Sequence, residues 1–422
     1  MRVVVSLLAV VAALGAAGCG GSHRVTAVAS GACGPVEYAG SGKPDYLIVS
    51  DLPLIAPPGA REQVAGIRYV LRRHGYRAGP YAIGYQSCDD SSAAASHFDG
   101  TVCSANAKAY AADESVIGVI GPYNSDCAAV QIPVLERAPH GPVALIGTGT
   151  TDPSLTTRVS GAPTGTPDVL YPKGIRNFVR LPAPDQYQAA GAAMFAAGHR
   201  FRRVYVLDDG EPYGTNLAQW FRRDAARLHV PIVGAAAWNP QAHAYAALVK
   251  QVSHARPDAV YLAGLGFLHG TRVLKALRPA VGNGVDVFAP DGFSDPREIA
   301  DEAGRAGNGL YFTLAIVPTE AAGPLGKTIL AQTGPEAPEQ YGSLYGAAAA
   351  ATLLQAVARS DGSRASVNAQ LFRAETPGSI IGRFGFNRNG DPTRGAMAVY
   401  RVANGKATLA EMLYPSAAFA EG

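Results

Sequence analysis

The sequence predicts an α/β protein with two lobes, each built on a parallel sheet. Short apolar runs alternate with longer segments of helical period from Asp45 onward, and the same alternation restarts at Arg203. A Pro- and Gly-rich stretch at 161–184 separates the two series. Strands that alternate with helices of this length are typical of parallel sheets made from βαβ units.

The predicted elements follow from these runs in order. Apolar runs of four or five residues predict strands, and longer segments with apolar residues every three or four positions predict helices. Lobe 1 has predicted strands at 46–50, 81–85, 116–120 and 143–147, helices at 61–74 and 104–111, and a helix that starts near Cys127. Lobe 2 has predicted strands at 204–207, 232–236, 259–263 and 285–289, with helices at 217–228, 245–255 and 271–277. An Ala-rich helix at 341–359 and strands at 383–387 and 396–402 complete the chain.

The N-terminus has the three parts of an export signal. Arg2 precedes an apolar run at 3–14, and the small residues 15–18 precede Cys19. The run is too short to cross a hydrocarbon core of roughly 30 Å. A cysteine after small residues is the usual lipid acceptor of bacterial lipoproteins, so we expect a lipoprotein signal at 1–18, lipid on Cys19 and a spacer at 19–44. An ordinary cleaved signal is the alternative. Either way, the mature chain is expected outside the cytoplasm, away from ATP and NAD.

Composition narrows the classes of partner. The 422 residues carry a net charge of +3, and lysine and arginine are scattered along the chain, which argues against nucleic-acid binding. No later segment has 18 uninterrupted apolar residues, so we expect contact with the membrane only through the lipid.

Four cysteines follow Cys19, and an even number in an oxidising compartment predicts two disulfides. Cys88–Cys103 closes the shortest loop and is preferred, which leaves Cys33–Cys127, while Cys88–Cys127 is the main alternative. No CxxC spacing or His/Cys cluster indicates a metal site.

Three loops that follow predicted strands are candidates for a ligand site, because open parallel sheets bind ligands beyond the carboxyl ends of their strands. Residues 121–127 place Ser125 at a helix start, which suits a carboxylate. Residues 147–152 bring Gly149, Thr150 and Thr151, with accessible backbone and hydroxyls for the same anion. Asp291 follows a strand of lobe 2. An anion pocket that faces a carboxylate suits a zwitterionic amino acid, although helix capping and turn formation are the alternative roles.

The segment 264–270 (GLGFLHG) is similar to a dinucleotide fingerprint, but its third glycine falls one residue late for GxGxxG. There is also no GxSxG or HExxH motif, and the nine histidines are isolated. We therefore expect neither an enzyme nor a cofactor.

Five segments together resemble the branched-chain amino acid type of ABC importer substrate-binding lipoproteins, the type I periplasmic binding proteins. They are 117–122 (IGVIGP), 131–133 (QIP), 206–214 (VLDDGEPYG), 289–293 (APDGF) and 341–345 (YGSLY). The resemblance implies two Rossmann-like lobes joined by a three-crossover hinge. Lobe 1 would span 45–183, completed by 315–391, and lobe 2 would span 184–314, completed by 392–415.

The resemblance also implies roles for residues. Ser125, the backbone near Gly149 and Thr151 would hold a ligand carboxylate, and Asp291 would hold its amino group. Tyr213 and Asp209 would border the cleft from lobe 2. Leucine-binding members carry aromatic residues after the strand that corresponds to 259–263, whereas this chain has Gly-Leu-Gly-Phe, so the side-chain preference is open.

The implied function is that of a monomeric receptor that binds an amino acid or an analogue between its lobes and delivers it to an ABC permease. A receptor module that signals to a membrane sensor is one alternative. An importer receptor for amides, urea or small organic acids is another.

Overall fold

The computed structural model describes residues 25–55, 58–95, 97–159, 161–334 and 341–421. The predicted signal and Cys19 lie outside the described residues. Among the helices that are described, none has the length and apolar character needed to cross a membrane.

Lobe 1 is a six-stranded sheet in the order β2-β3-β1-β4-β5-β6. All neighbours are parallel except the antiparallel β2–β3 pair. Helices pack on both faces of the sheet. On the first helix of the lobe, Val64, Ile67 and Leu71 form a buried stripe. The elements are β1 (Tyr46–Leu52), α1 (Pro58–Arg73), β2 (Arg77–Ala78), β3 (Tyr81–Asp89), α2 (Gly100–Ala112), β4 (Val116–Ile120), α3 (Ser125–Glu136), β5 (Ala144–Gly147) and β6 (Phe178–Arg180).

Lobe 2 is a seven-stranded sheet in the order β13-β12-β11-β10-β9-β7-β8. Strands β7 to β11 are parallel to one another, and β12 and β13 add an antiparallel hairpin at one edge. The elements are α4 (Asp185–Gly198), β7 (Val204–Asp208), α5 (Pro212–Arg227), β8 (Ile232–Ala237), α6 (Ala246–Ala255), β9 (Ala259–Ala263), α7 (Thr271–Val281), β10 (Asp286–Ala289), α8 (Pro296–Ala303), β11 (Leu310–Leu314), β12 (Met397–Ala403), β13 (Lys406–Leu413) and the short α12 (Ala417–Ala420).

The chain passes between the lobes three times. It leaves lobe 1 after β6, returns after β11 to add α9 (Pro324–Thr333), α10 (Ser343–Ala358) and α11 (Arg364–Leu371), and ends in lobe 2 with β12 and β13. Helix α10 packs so closely on α1 that a Cβ at Gly346 would lie 2.2 Å from the Gln63 carbonyl oxygen. The predicted fold class, two α/β lobes with parallel sheets, is confirmed.

Two local predictions differ from the structure. Helix α4 begins directly after Pro184, whereas no element is predicted from the sequence between Pro184 and Arg203. Residues 383–387 form no strand, and Phe386 makes only an isolated bridge with Pro392. The residues between α11 and β12 instead form turns and irregular segments.

The predicted disulfide pairing is wrong, and so is its alternative. The structure joins Cys33 to Cys88 and Cys103 to Cys127. Cys33 lies opposite Cys88 because its segment runs antiparallel to the end of β3. Cys103 and Cys127 are on α2 and α3, which pack together and bring the two Cα atoms to 5.6 Å. Loop length did not decide the pairing, because the fold brings these partners together across longer separations.

The described part of the predicted spacer lies against lobe 1. Val25 and Val28 are buried on the side of the sheet that α2 covers. The Val28 N–H donates to Gln86 Oε1 at 2.9 Å, and Glu37 pairs with Arg68 at 2.6 Å. The segment from residue 25 is therefore attached to the lobe through its backbone, an ion pair and a disulfide.

Candidate functional site

The two predicted loops of lobe 1 meet at Ser125, the first residue of α3. Its hydroxyl oxygen accepts the N–H groups of Thr151 and Asp152, each at 3.2 Å. The hydroxyl proton is still available to donate to a ligand. Together with the N-terminus of α3, this arrangement favours a negatively charged group.

Gly149 and Thr150 play different parts in this loop. A Cβ at Gly149 would lie 2.7 Å from the Tyr123 carbonyl oxygen, so the glycine lets the loops after β4 and β5 approach each other. Thr150 is fully buried, and a Cβ at Gly147 would lie 2.3 Å from its hydroxyl oxygen. The Thr150 side chain is therefore folded back beneath its own loop.

In lobe 2, Asp291 follows β10 and is bound by two side chains. The Tyr213 hydroxyl donates to Asp291 Oδ1, and the Asp291 N–H donates to Gln188 Oε1 at 3.1 Å. Gln188 is a fully buried residue of α4, and its Nε2 donates to Asp185 Oδ1 at 3.0 Å. The structure thus adds a second carboxylate, Asp185, to the predicted one.

Asp185 also contacts lobe 1, because its N–H donates to the Thr151 carbonyl oxygen at 2.9 Å. A continuous polar chain therefore runs from Thr151 through Asp185 and Gln188 to Asp291 and Tyr213. It joins the loop after β5 in lobe 1 to the loop after β10 in lobe 2. These residues define the candidate cleft.

The two carboxyl groups of the cleft are electrostatically unfavourable as a pair of anions. Burial raises the pKa of Asp185 well above its usual value, and the neighbouring Asp291 raises it further. Burial also raises the pKa of Asp291, while hydrogen bonds from Tyr213 and Gln188 oppose that rise. Such a pair requires either protons or a cation.

Four tyrosines surround Asp291. For each of them burial raises the pKa, and the charge of Asp291 is the next largest cause; they are Tyr123, Tyr213, Tyr261 and Tyr341. The rings of Tyr123 and Tyr341 meet edge to face with centroids 5.8 Å apart. Among the described residues, the hydroxyls of Tyr261 and Tyr341 are buried without a hydrogen-bond partner. Aromatic faces beside carboxylates suit a cation with an apolar body.

The Asp209 carboxylate accepts hydrogen bonds from two loops of lobe 2. Its Oδ1 accepts the Glu211 N–H and its Oδ2 accepts the Leu265 N–H, both at 3.1 Å. The carboxylate therefore connects the loop after β7 to the loop after β9. A Cβ at Gly264 would lie 2.6 Å from Asp209 Oδ2, which explains that glycine without a phosphate ligand.

Five members of the site are not predicted from the sequence: Asp185, Gln188, Tyr123, Tyr261 and Tyr341. A signal was available for the first two, because Pro184 followed by Asp185 and an Ala-rich run is a helix-start pattern. Tyr261 could be placed only by the strand order, which sets β9 beside β10.

One group of metal-ligand type occurs among the residues that the structure describes: Asp90, Cys103 and Cys127. The two cysteines form a disulfide, so neither sulfur is a thiolate ligand.

The family of the chain follows from comparison with known proteins. Residues 81–407 match the family model described as periplasmic binding protein, so the chain belongs to this family of extracytoplasmic solute-binding proteins of ABC transporters. No curated protein sequence matches the chain.

Solved structures share the type I periplasmic binding fold. A leucine-binding protein, LivK, from Thermotoga maritima is 22% identical, with a TM-score of 0.67 over 88% of this chain and 99% of the other. An ABC transporter substrate-binding protein from Desulfitobacterium hafniense in complex with Leu is 17% identical, with a TM-score of 0.68 over 86% and 99%. A solute-binding protein from R. palustris in complex with benzoate is 16% identical, with a TM-score of 0.63 over 88% and 96%.

Proposed function

We propose that this protein is the receptor of an ABC importer for an amino acid or a close analogue that carries both a carboxylate and an amino group. The observation that supports this most is the polar chain between the lobes. It places the loop after β5 in lobe 1, which favours a negatively charged group, beside the buried carboxyl pair Asp185 and Asp291. A zwitterionic ligand has a carboxylate for the lobe 1 loop and an ammonium group for the two carboxyl groups.

In this proposal the ligand carboxylate binds to the Ser125 hydroxyl, the backbone near Gly149 and Thr151. The ligand ammonium group binds to Asp291 and Asp185, and Tyr213 orients the Asp291 carboxylate. The tyrosines around Asp291 pack against the apolar part of the ligand. Thr150 and Asp209 act as supports for their loops.

Transport by this receptor needs no bond to form or break. A ligand that contacts both lobes stabilises the closed arrangement by the difference between its affinities for the closed and open forms. A membrane permease then recognises the closed form. We further propose that the receptor acts as a monomer, held at the outer face of the membrane by lipid on Cys19.

A small organic acid is the second candidate ligand. The ring of tyrosines favours it, and the R. palustris neighbour is a complex with benzoate. A benzoate-like ligand would bind to the lobe 1 loops and pack against the tyrosines. It has no ammonium group, so the two carboxyl groups, Asp185 and Asp291, would stay protonated.

The test is thermal unfolding of the mature chain carrying Cys19→Ser against amino acids, their amides and small acids. A ligand at 100 times its Kd adds about 2.7 kcal/mol to the free energy of unfolding, which raises Tm visibly. We expect a rise with one or more α-amino acids that is lost in Asp291→Asn and in Ser125→Ala. Asp301→Asn, an exposed acid on α8, is the control that should keep the rise.

Shifts with benzoates alone would replace the zwitterion by the organic acid. Shifts that persist in both Asp291→Asn and Ser125→Ala would refute the proposed site.

A further inference from the structure

A cavity of about 150 Å³ lies where the lobes join. All three crossovers contribute to its wall: Leu181 and Ala183 follow β6, Ala315 and Val317 follow β11, and Ala396 precedes β12. We call it the hinge cavity. Any rotation of one lobe against the other moves these segments, so the shape of the hinge cavity depends on the hinge angle.

The hinge cavity has an apolar interior and a cationic rim. Leu181 and Ile381 are buried in its wall, while Arg383 and Arg394 are exposed at its edge. The Arg394 guanidinium lies 4.8 Å from the ring centroid of the exposed Tyr414, and within the described ranges no carboxylate pairs with it.

Arg383 has one carboxylate neighbour, Glu375, at 3.7 Å. Both side chains are largely exposed, so the pair contributes little and is easily replaced. Two arginines over an apolar recess fit a ligand with a short apolar body and one anionic group. The volume is below the roughly 300 Å³ of ordinary small-molecule pockets, which restricts the body to a few carbons.

The wall of the hinge cavity is also connected to the cleft. The Tyr345 hydroxyl accepts the Val317 N–H at 3.0 Å, which ties this ring to the second crossover. Tyr345 packs edge to face on Tyr341 with centroids 5.1 Å apart, and Tyr341 packs in the same way on Tyr123 of the cleft. A row of three tyrosine rings therefore connects the wall of the hinge cavity to the cleft.

We propose that the hinge cavity is a second binding site, for a small aliphatic carboxylate, with its chain between the crossovers and its carboxylate on Arg383 and Arg394. Because its wall is made from all three crossovers, occupancy favours the hinge angle at which the cavity exists and so changes the affinity of the cleft. This second consequence rests on the proposed function, whereas the binding itself does not.

The probe is hexanoate, with hexanamide as its uncharged match, titrated into the mature Cys19→Ser chain and followed by ligand-observed NMR. We expect saturable binding of hexanoate that is at least tenfold weaker for hexanamide and for the double variant Arg383→Gln/Arg394→Gln. Arg388→Gln, an exposed arginine of the same segment that does not line the hinge cavity, should bind as the parent does. Asp291→Asn should also keep binding, which separates this site from the cleft.

Three results would overturn the site: no saturation at millimolar hexanoate, equal binding of hexanamide, or binding that survives the double arginine variant but is lost in Asp291→Asn. The coupling has its own readout once a cleft ligand is known. We expect saturating hexanoate to change the Kd of that ligand about fivefold or more, and the double arginine variant to abolish the change. An unchanged Kd would refute the coupling and leave the binding result standing.

Discussion

At the scale of single residues, Asp90 of lobe 1 is a buried carboxyl group with few hydrogen-bond partners. It is fully buried, its Oδ1 has no hydrogen-bond partner, and its Oδ2 lies 3.6 Å from Cys127 Sγ, whose disulfide carries no proton. The nearby Asp51 accepts hydrogen bonds from Asn106, Tyr110 and Gln131. Burial raises the pKa of Asp90 to about 9 and that of Asp51 to about 6. The raised pKa of Asp90 therefore favours the protonated carboxyl at neutral pH.

Asp90→Asn should flatten the dependence of stability on pH. The folded state keeps a proton that the unfolded carboxyl, with its pKa near 4, gives up, so the free energy of unfolding falls as pH rises from about 4 to about 9. The slope from this group is at most about 1.4 kcal/mol per pH unit. Urea unfolding at pH 6, 7.5 and 9 measures it, with Asp301→Asn as control. Parallel profiles for the parent and Asp90→Asn would contradict the raised pKa.

The carboxyl pair of the cleft gives a second residue-scale prediction. Since burial raises the pKa of both Asp185 and Asp291, a ligand ammonium group should displace a proton when it binds. Affinity should then increase with pH through the raised pKa of the pair. Calorimetry in two buffers of different ionisation enthalpy measures the released proton, and Asp185→Asn should reduce it. An amino acid ligand that binds without proton exchange would disprove this account.

At the scale of elements, the end of β6 is fastened to the third crossover by a buried ion pair. Arg180 and Asp391 are both fully buried at 2.7 Å, and Thr156 donates a further hydrogen bond to Asp391 at 2.9 Å. Arg180 Nη1 also donates to the Asp152 carbonyl oxygen at 2.7 Å. The pair thus fixes the relative positions of the loop after β5, strand β6 and the third crossover.

Asp391→Ala should destabilise the protein by about 3–5 kcal/mol, because it leaves the Arg180 charge buried and uncompensated. Chemical denaturation measures the loss. Asp168→Ala, which removes the partner of the exposed Arg158, is the matched control and should cost no more than about 1 kcal/mol. Similar losses in both variants would mean that Arg180 finds other partners.

The disulfides also belong to this scale. Proteolysis without reduction should release one peptide pair that contains Cys33 and Cys88, and another that contains Cys103 and Cys127. The first closes 55 residues and the second 24, so loop entropy predicts a somewhat larger loss of stability for Cys33→Ser/Cys88→Ser than for Cys103→Ser/Cys127→Ser. Any peptide that joins Cys88 to Cys103 would contradict the structure.

At the scale of the whole molecule, two lobes joined by three crossovers predict a hinge motion about the cleft. A saturating cleft ligand should lower the radius of gyration measured by small-angle X-ray scattering. Asp291→Asn at the same ligand concentration should scatter as the unliganded protein does. A radius that stays constant while ligand binds would show that binding does not move the lobes.

The sequence by itself determined the class of fold and the positions of most sheet strands, because apolar runs of five residues and helical periods are local patterns. It also placed Ser125, Thr151 and Asp291 at strand ends, where a parallel sheet exposes its loops. Neither result required knowledge of which strands are neighbours.

Only the tertiary structure decided which distant residues meet. Cys33 reaches Cys88 through an antiparallel bridge, and Asp185 joins Asp291 because α4 carries Gln188 between them. The same applies to Asp209, whose carboxylate oxygens accept hydrogen bonds from two backbone N–H groups, one of them 56 residues away. Pairings of this kind depend on sheet order and helix packing, which are properties of the folded chain and leave no periodic trace in its sequence.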